Sequence, residues 1–191
     1  MHVALLSRFE PFEIVIHSDL NFEYFDETLP VKRAMMEVVF QIRGHRWKVF
    51  GLHLKSKWSD YKEDQGSDDR RRSEVLACRK MILDHKKQDE LPFLILGDLN
   101  DTKGSASVRL LQNRGKTEVA VALDCFDSRG ERWTHYYSNE DEYRRIDYIL
   151  KSPDFPAQVK DNHGWIYDGS VGLAASDHRL IWVDLDWDNQ K

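Results

Sequence analysis

Apolar residues recur with period two from the first positions of the chain. Residues 2–7 alternate, with Val3 and Leu5 on one face and Ala4 and Leu6 on the other, and residues 12–17 alternate again. A polar segment follows over 21–30. The runs 35–42 and 47–54, separated by Arg43-Gly44-His45-Arg46, predict a long antiparallel hairpin. Residues 58–72 are almost wholly polar and read as a loop, with Asp60, Asp68, Asp69 and the run Arg70-Arg71-Arg72. The period then becomes helical over 73–86. Val75, Cys78 and Ile82 share one face, with Leu76 and Leu83 beside them. Three arginines ahead of a helix oppose its dipole, which favours an acidic partner or ligand facing them; the usual behaviour of surface charges favours a solvated run, and that is the expectation.

Residues 91–96 form an unbroken apolar run that predicts a buried strand, and it ends in Gly97-Asp98-Leu99-Asn100-Asp101. A short helix over 105–113 has Ser105 as its cap. Residues 133–137 and 143–150 read as two strands joined by the acidic loop 139–142, with Arg145-Ile146-Asp147-Tyr148 inside the second. A loop over 169–175 leads to Ser176-Asp177-His178-Arg179 and a closing strand at 180–185. No internal repeat or linker interrupts the 191 residues, so one domain over 1–191 is expected.

Composition narrows the partners. The chain is 41% hydrophobic and 12% aromatic, which is globular, and its formal net charge of −5 gives no global field toward nucleic acid. Cys78 and Cys125 are too few for a disulfide framework and lie in no metal-binding spacing. No run is long enough for a membrane span, and the first residues, from Met1 to Arg8, lack a signal-peptide pattern. A soluble protein is expected, cytoplasmic by default.

Polar chemistry gathers at strand tips. His53 and Lys55 share a face at the end of the second hairpin arm; Asp98 and Asn100 stand two apart after the buried run, on one face if extended geometry persists. The bland reading of the latter pair is an Asx turn that bonds its own backbone. Asp147 sits among apolar neighbours and needs a partner. Each signal alone is weak. Together they supply the carboxylates and imidazoles that a hard metal ion and attack on phosphorus require.

The ordered set Leu5-Leu6-Ser7-Arg8, His53-Leu54-Lys55-Ser56-Lys57, Gly97-Asp98-Leu99-Asn100, Arg145-Ile146-Asp147-Tyr148 and Ser176-Asp177-His178 resembles the endonuclease/exonuclease/phosphatase superfamily typified by DNase I. The resemblance implies an α/β fold, a four-layer α/β/β/α sandwich of two mixed sheets. It also implies phosphoester hydrolysis with a divalent metal, usually Mg²⁺, with Mn²⁺ or Ca²⁺ as substitutes. By that resemblance Asp98 orients or deprotonates the attacking water, and Asn100 binds a non-bridging phosphate oxygen. Asp177 is a metal-associated carboxylate, while His178 contacts the phosphate with Asp147 fixing its ring. His53 protonates the leaving oxygen, and Arg8 and Lys55 approach the phosphate.

The family's first strand carries an Asn, and a later strand carries a Glu that is a principal metal ligand; both precede the segment at which this chain begins. That Glu is therefore expected upstream of Met1, and neither Glu10 nor Glu13 matches it. The expectation is a domain incomplete at its N-terminus and lacking the first strands, with an exposed apolar face, reduced metal affinity and weak activity alone. A lost segment could have carried a secretion signal. The expected partner is a phosphoester substrate. Nucleic acid enters if Lys32, Arg33, Arg43, Arg46, Lys48 and Arg70 to Arg72 converge on one face, and Trp58, Trp133, His135 and Tyr136 are candidate pocket walls. A non-catalytic partial domain is the competing class.

Overall fold

The computed structural model describes residues 3–59 and 61–187. Met1, upstream of which the metal-binding Glu is expected, lies outside the described residues, as do His2 and Asp60 of the sequence expectations. In chain order come β1 (Glu13–His17), β2 (Asn21–Tyr24), β3 (Glu27–Pro30), β4 (Met35–Ile42) and β5 (His45–His53). Then follow α1 (Asp68–Asp89), β6 (Phe93–Asp98), α2 (Ala106–Gln112), and the short strands β7 (Asn113–Arg114), β8 (Thr117–Glu118), β9 (Val121–Ala122) and β10 (Cys125–Phe126). The last part holds β11 (His135–Tyr137), β12 (Glu142–Arg144), β13 (Asp147–Lys151), β14 (Gln158–Val159), β15 (Gly164–Ile166), α3 (Ser170–Ala175), β16 (Ile181–Trp182) and β17 (Leu185–Asp186).

The main sheet has six strands in the order β1-β4-β5-β6-β13-β9. All neighbours are antiparallel except β5 and β6, which run parallel because α1 carries the chain back between them. Strand alternation sends Phe50, Leu52, Phe93 and Ile95 to one face, against Val75, Cys78 and Ile82 of α1 and Val108 and Leu111 of α2. The other face places Val38, Val49, Leu94, Leu96 and Ile149 against Phe155, Val159, Ile181 and Leu185 from the second strand layer. That layer consists of a mixed three-stranded sheet, β10-β15-β16, and the pair β14-β17. The architecture is the expected α/β sandwich, with the second sheet built from short pieces.

Several expectations change. Residues 3–7 form no strand: Val3 leans into the space over Gly51, while Leu6 is fully exposed and unpaired. On edge strand β1, Ile14 and Ile16 stand out on the sheet face away from the helices, each 54% exposed. The polar segment 21–30 is in fact the hairpin β2-β3, whose Phe22 and Tyr24 turn inward. Helix α1 starts at Asp68, well before residue 73, so the three arginines lie inside its first turns. Asp64 makes this start possible by accepting the backbone N–H groups of Asp68, Asp69 and Arg70 through its carboxylate, which offsets the dipole that the arginines oppose.

The strand expected over 143–150 breaks at Arg145-Ile146, because Arg144 pairs within a small hairpin and Asp147 joins the main sheet. The closing strand breaks likewise at Val183-Asp184, its two halves pairing with β15 and with β14. The short helix of α2 forms as expected, with Ser105 Oγ accepting from the Val108 N–H at 3.2 Å.

Candidate active site

Three side chains stand in one row across the main sheet. Asp98, the last residue of β6, pairs with His53 on β5 and with Asp147 on β13. Residues directly opposite on adjacent strands project to the same face, so the row places an imidazole and two carboxylates side by side. Gly97 is what lets β6 end here. Its φ is +139°, and a Cβ on it would lie 1.9 Å from the Leu52 carbonyl oxygen of β5.

After Asp98 extended geometry does not persist. Asn100 is left-handed, with φ 51°, and its backbone N–H donates to Asp98 Oδ1 at 2.7 Å. Its side-chain Nδ2 donates to the Leu54 carbonyl at 3.0 Å and to Asp98 Oδ2 at 3.1 Å. The Asx turn therefore forms, and it serves the site: Asn100 fixes the Asp98 carboxylate from two directions. Both amide hydrogens are used inward, so the contact expected from Asn100 to a phosphate oxygen is not built in this arrangement.

The segment Ser176–His178 closes the site from the far side. His178 Nδ1 meets Asp147 Oδ2 at 2.9 Å, the pairing expected for the buried aspartate. This hydrogen bond holds the His178 pKa above its ordinary value despite partial burial. His53 is opposite in character. Burial, followed by the positive charges of Arg33 and His178, pushes it down to about 4. Its Nε2 lies 3.3 Å from Asp98 Oδ2, and near neutral pH the ring beside that carboxylate is uncharged. The role expected for it, protonating a leaving oxygen, conflicts with this environment. Asp98 itself is pushed up to about 6, first by burial and then by the negative charge of Asp147.

Lys55 is buried, with its ammonium bonded to the carbonyls of Trp58 and Ser56, and the structure turns it away from the phosphate role given to it. Arg8 lies in the exposed N-terminal segment and makes no hydrogen bond or ion pair with the row among the described residues. Asp177 is exposed at the mouth of a cleft of about 710 Å³, which Asn100, His135, Tyr137 and Trp58 also line. Trp133 and Tyr136 border an adjoining cleft that shares Asp177.

Other residues support the site: His135 was expected as a pocket wall and Arg71 as a solvated charge, whereas Thr134 and Glu74 carried no signal in the sequence. His135 is bridged in antiparallel fashion to His178, their rings 4.7 Å apart, and its Nε2 is 3.7 Å from Asp177. Thr134, completely buried, accepts the N–H groups of Ile146 and Asp147 on its Oγ1. From α1, Arg71 donates to Asp101 at 3.1 Å and to the Lys55 carbonyl at 3.1 Å. Glu74, one turn on, accepts from the backbone N–H of Lys55 at 2.8 Å and of Lys32 at 2.9 Å. The helix thus ties together the loops that follow β5 and β6.

The pair of carboxylates suits a hard divalent cation. Ligand atoms of Asp98, Asp147 and His178 lie within 4.8 Å of one another; those of His135, Asp177 and His178 do so too, in a set richer in imidazole. The metal-ligand expectation had rested on Asp177 together with a Glu upstream of Met1; the grouping on the sheet is different, with Asp98 and Asp147 as the nearest carboxylates. Burial first and the charge of Asp147 second raise Asp98, and a bound cation would favour its ionised form against both.

A family model described as Endonuclease/Exonuclease/phosphatase family matches residues 3–178. The chain belongs to this family, whose members generally depend on a divalent metal. Solved structures agree on the fold. An endonuclease/exonuclease/phosphatase from Bacteroides vulgatus aligns with TM-score 0.64 at 16% identity, covering 93% of this chain and 66% of that one. The Bacteroides thetaiotaomicron mannosyl-6-phosphatase Bt3783 aligns with TM-score 0.61 at 19% identity, covering 93% and 67%. The human Nocturnin catalytic domain aligns with TM-score 0.55 at 13% identity, covering 93% and 61%. The chain spans about two thirds of the length of the structures it matches. No curated protein sequence matches it significantly. Among the described residues no helix is long and apolar enough to cross a membrane.

Proposed function

We propose that this domain hydrolyses a phosphoester by attack of water on phosphorus, with Asp98 as the base and His178 as the cationic group at the phosphoryl oxygens. The row His53–Asp98–Asp147, with His178 locked onto Asp147, carries the proposal. Asp98 is ionised near neutral pH yet poised close to it, so it is able to take a proton from water as the oxygen bonds to phosphorus. Asn100 holds its carboxylate in place from two directions, with the neutral His53 alongside. His178, whose protonated form Asp147 favours, meets the charge that grows on the non-bridging oxygens as the ester bond breaks, an interaction stronger in the transition state than in the ground state. The departing oxygen recovers from solvent the proton that Asp98 has taken. A divalent cation such as Mg²⁺ would be held by Asp98 and Asp147, the carboxylates that lie together on the sheet, and when bound would supply Lewis-acid polarisation of the phosphate.

A small phosphoester fits better than a nucleic-acid backbone. Two of the positions whose convergence would favour a polyanion are withdrawn into the fold: Lys48 is buried against Glu37 and Arg71 against Asp101, while Arg33 is held at the site by the carbonyls of His53 and Leu54. At the cleft, Arg144 is paired with Glu140 and Glu142. The test is hydrolysis of sugar phosphates, nucleotides, a model diester and DNA with Mg²⁺ or with chelator. Metal-dependent turnover of a small ester, abolished in Asp98→Asn, is expected. Turnover equal in Asp98→Asn, or none on any substrate, overturns the proposal.

A further inference from the structure

A second cluster lies on the opposite face of the main sheet, under α1. Glu37 of β4 pairs with Val15 of β1 and Phe50 of β5, and alternation from Phe50 puts it on the helix side, away from His53 and Asp98. Its Oε2 meets two imidazoles, His17 Nε2 at 2.8 Å and His85 Nδ1 at 2.7 Å. These three ligand atoms, from β1, β4 and α1, all lie within 4.8 Å of one another. His17 is 6% exposed and Glu37 3%.

We propose that His17, Glu37 and His85 form a second cation site, of a chemistry that takes Zn²⁺, which fastens the edge strand β1 and the end of α1 to the sheet. Two neutral imidazoles and one carboxylate oxygen are a borderline-soft donor set that favours Zn²⁺ over Mg²⁺ or Ca²⁺. The second oxygen of Glu37 is already held, by Lys48 Nζ at 2.6 Å, as the free oxygen of a one-point carboxylate ligand is. Lys48 brings a positive charge close to the cation, and Asp89, 2.5 Å from the same ammonium, offsets it. The partly exposed side of His85 leaves a fourth position open to water.

In the arrangement seen, protons stand where the cation would. Hydrogen-bonded contacts of this length must widen to about 3.3 Å for a tetrahedral shell with ligands at about 2.0–2.1 Å. His85, the least buried of the three, is the ligand from which that movement is expected. The rival account is a network held by protons alone, with Glu37 accepting from both rings and from Lys48.

Chelator-treated protein is titrated with Co²⁺ and, separately, with Zn²⁺. The expected result is one equivalent of Co²⁺ giving the intense visible absorption of a tetrahedral site, and a Tm rise of roughly 5–10 °C at Zn²⁺ about 100-fold above Kd. Both persist in Asp98→Asn, which separates this site from the catalytic one, and both are lost in His85→Gln and in Glu37→Gln. His85→Gln sits at the least buried ligand and keeps the test valid if changes at His17 impair folding. Absence of both signals in the unaltered protein, or their survival in His85→Gln, overturns the proposal.

Discussion

Asp98 is destabilising where it is useful. Its carboxyl is raised from 3.8 to about 6, so above that pH the folded protein holds a charge that the unfolded chain carries at lower cost. Asp98→Asn keeps an acceptor oxygen for the Asn100 N–H and removes the charge. In metal-free buffer at pH 7 it should therefore raise stability by about 2 kcal/mol, read as a higher midpoint in urea, while abolishing turnover. An unchanged or lower midpoint would contradict the electrostatic account. The same two groups set the pH profile. In the proposed reaction turnover requires ionised Asp98 and protonated His178; a bound cation lowers Asp98 from its metal-free value of about 6, so kcat/KM should fall on the acid side only below about 6 and should fall on the alkaline side through the raised His178 titration. Asp147→Asn removes the hydrogen bond that holds His178 up. It should move the alkaline limb to lower pH and reduce kcat by about 10²–10³-fold, a combination that a merely structural role would not produce.

The elements were legible in the sequence where one partner decides them, and not where two compete. The β4-β5 hairpin, the buried strand β6 and the Ser105 cap follow from local pattern because each pairs along its whole length. The strand around Arg145 looked continuous because its apolar alternation is continuous, yet its halves serve different sheets. Arg71 was misread for a related reason. A basic run suggests solvent, and only the fold reveals Asp101 and the Lys55 carbonyl as its partners. The site itself was more readable than its supports: Asp98, Asp147, His178 and His53 converge, whereas Lys55 turns inward and Arg8 makes no contact there. Arg71→Met leaves the Asp101 carboxylate without its buried partner, so it should cost about 3–5 kcal/mol and lower kcat by loosening both site loops. Gly97→Ala should do worse. Its Cβ would collide with backbone of β5, which cannot move without breaking the sheet, so loss of soluble folded protein is expected by circular dichroism.

At the scale of the whole molecule, two carboxylates on opposite faces of the main sheet respond to acid with opposite sign. On the catalytic face Asp98, raised to about 6, takes up a proton on folding and adds stability as pH falls from about 6 toward 4, while His53 beside it, lowered from 6.5 to about 4, removes a comparable amount over the same range. His178, raised as well, acts in the same direction at higher pH, its contribution being lost as pH climbs through its folded pKa. The helix-side face carries Glu37. Burial pushes its pKa up, but hydrogen bonds from His17, Lys48 and His85 outweigh this and bring it from 4.5 down to about 2. That contribution is complete above 4.5 and disappears as pH falls toward 2; discounted for solvent on the open His85 side, it is about 2 kcal/mol. Metal-free protein should therefore change little in stability between about pH 6 and 4.5, where Asp98 and His53 oppose each other, and lose stability below about 4.5 as Glu37 is protonated. Urea midpoints across about pH 2.5–8 would display this plateau and acid limb. In Asp98→Asn the plateau should tilt, stability falling from about pH 6.5 downward because His53 is no longer opposed, and in Glu37→Gln the acid limb should flatten. If either variant retained the parent curve, the sheet's two faces would not be the source of its pH dependence.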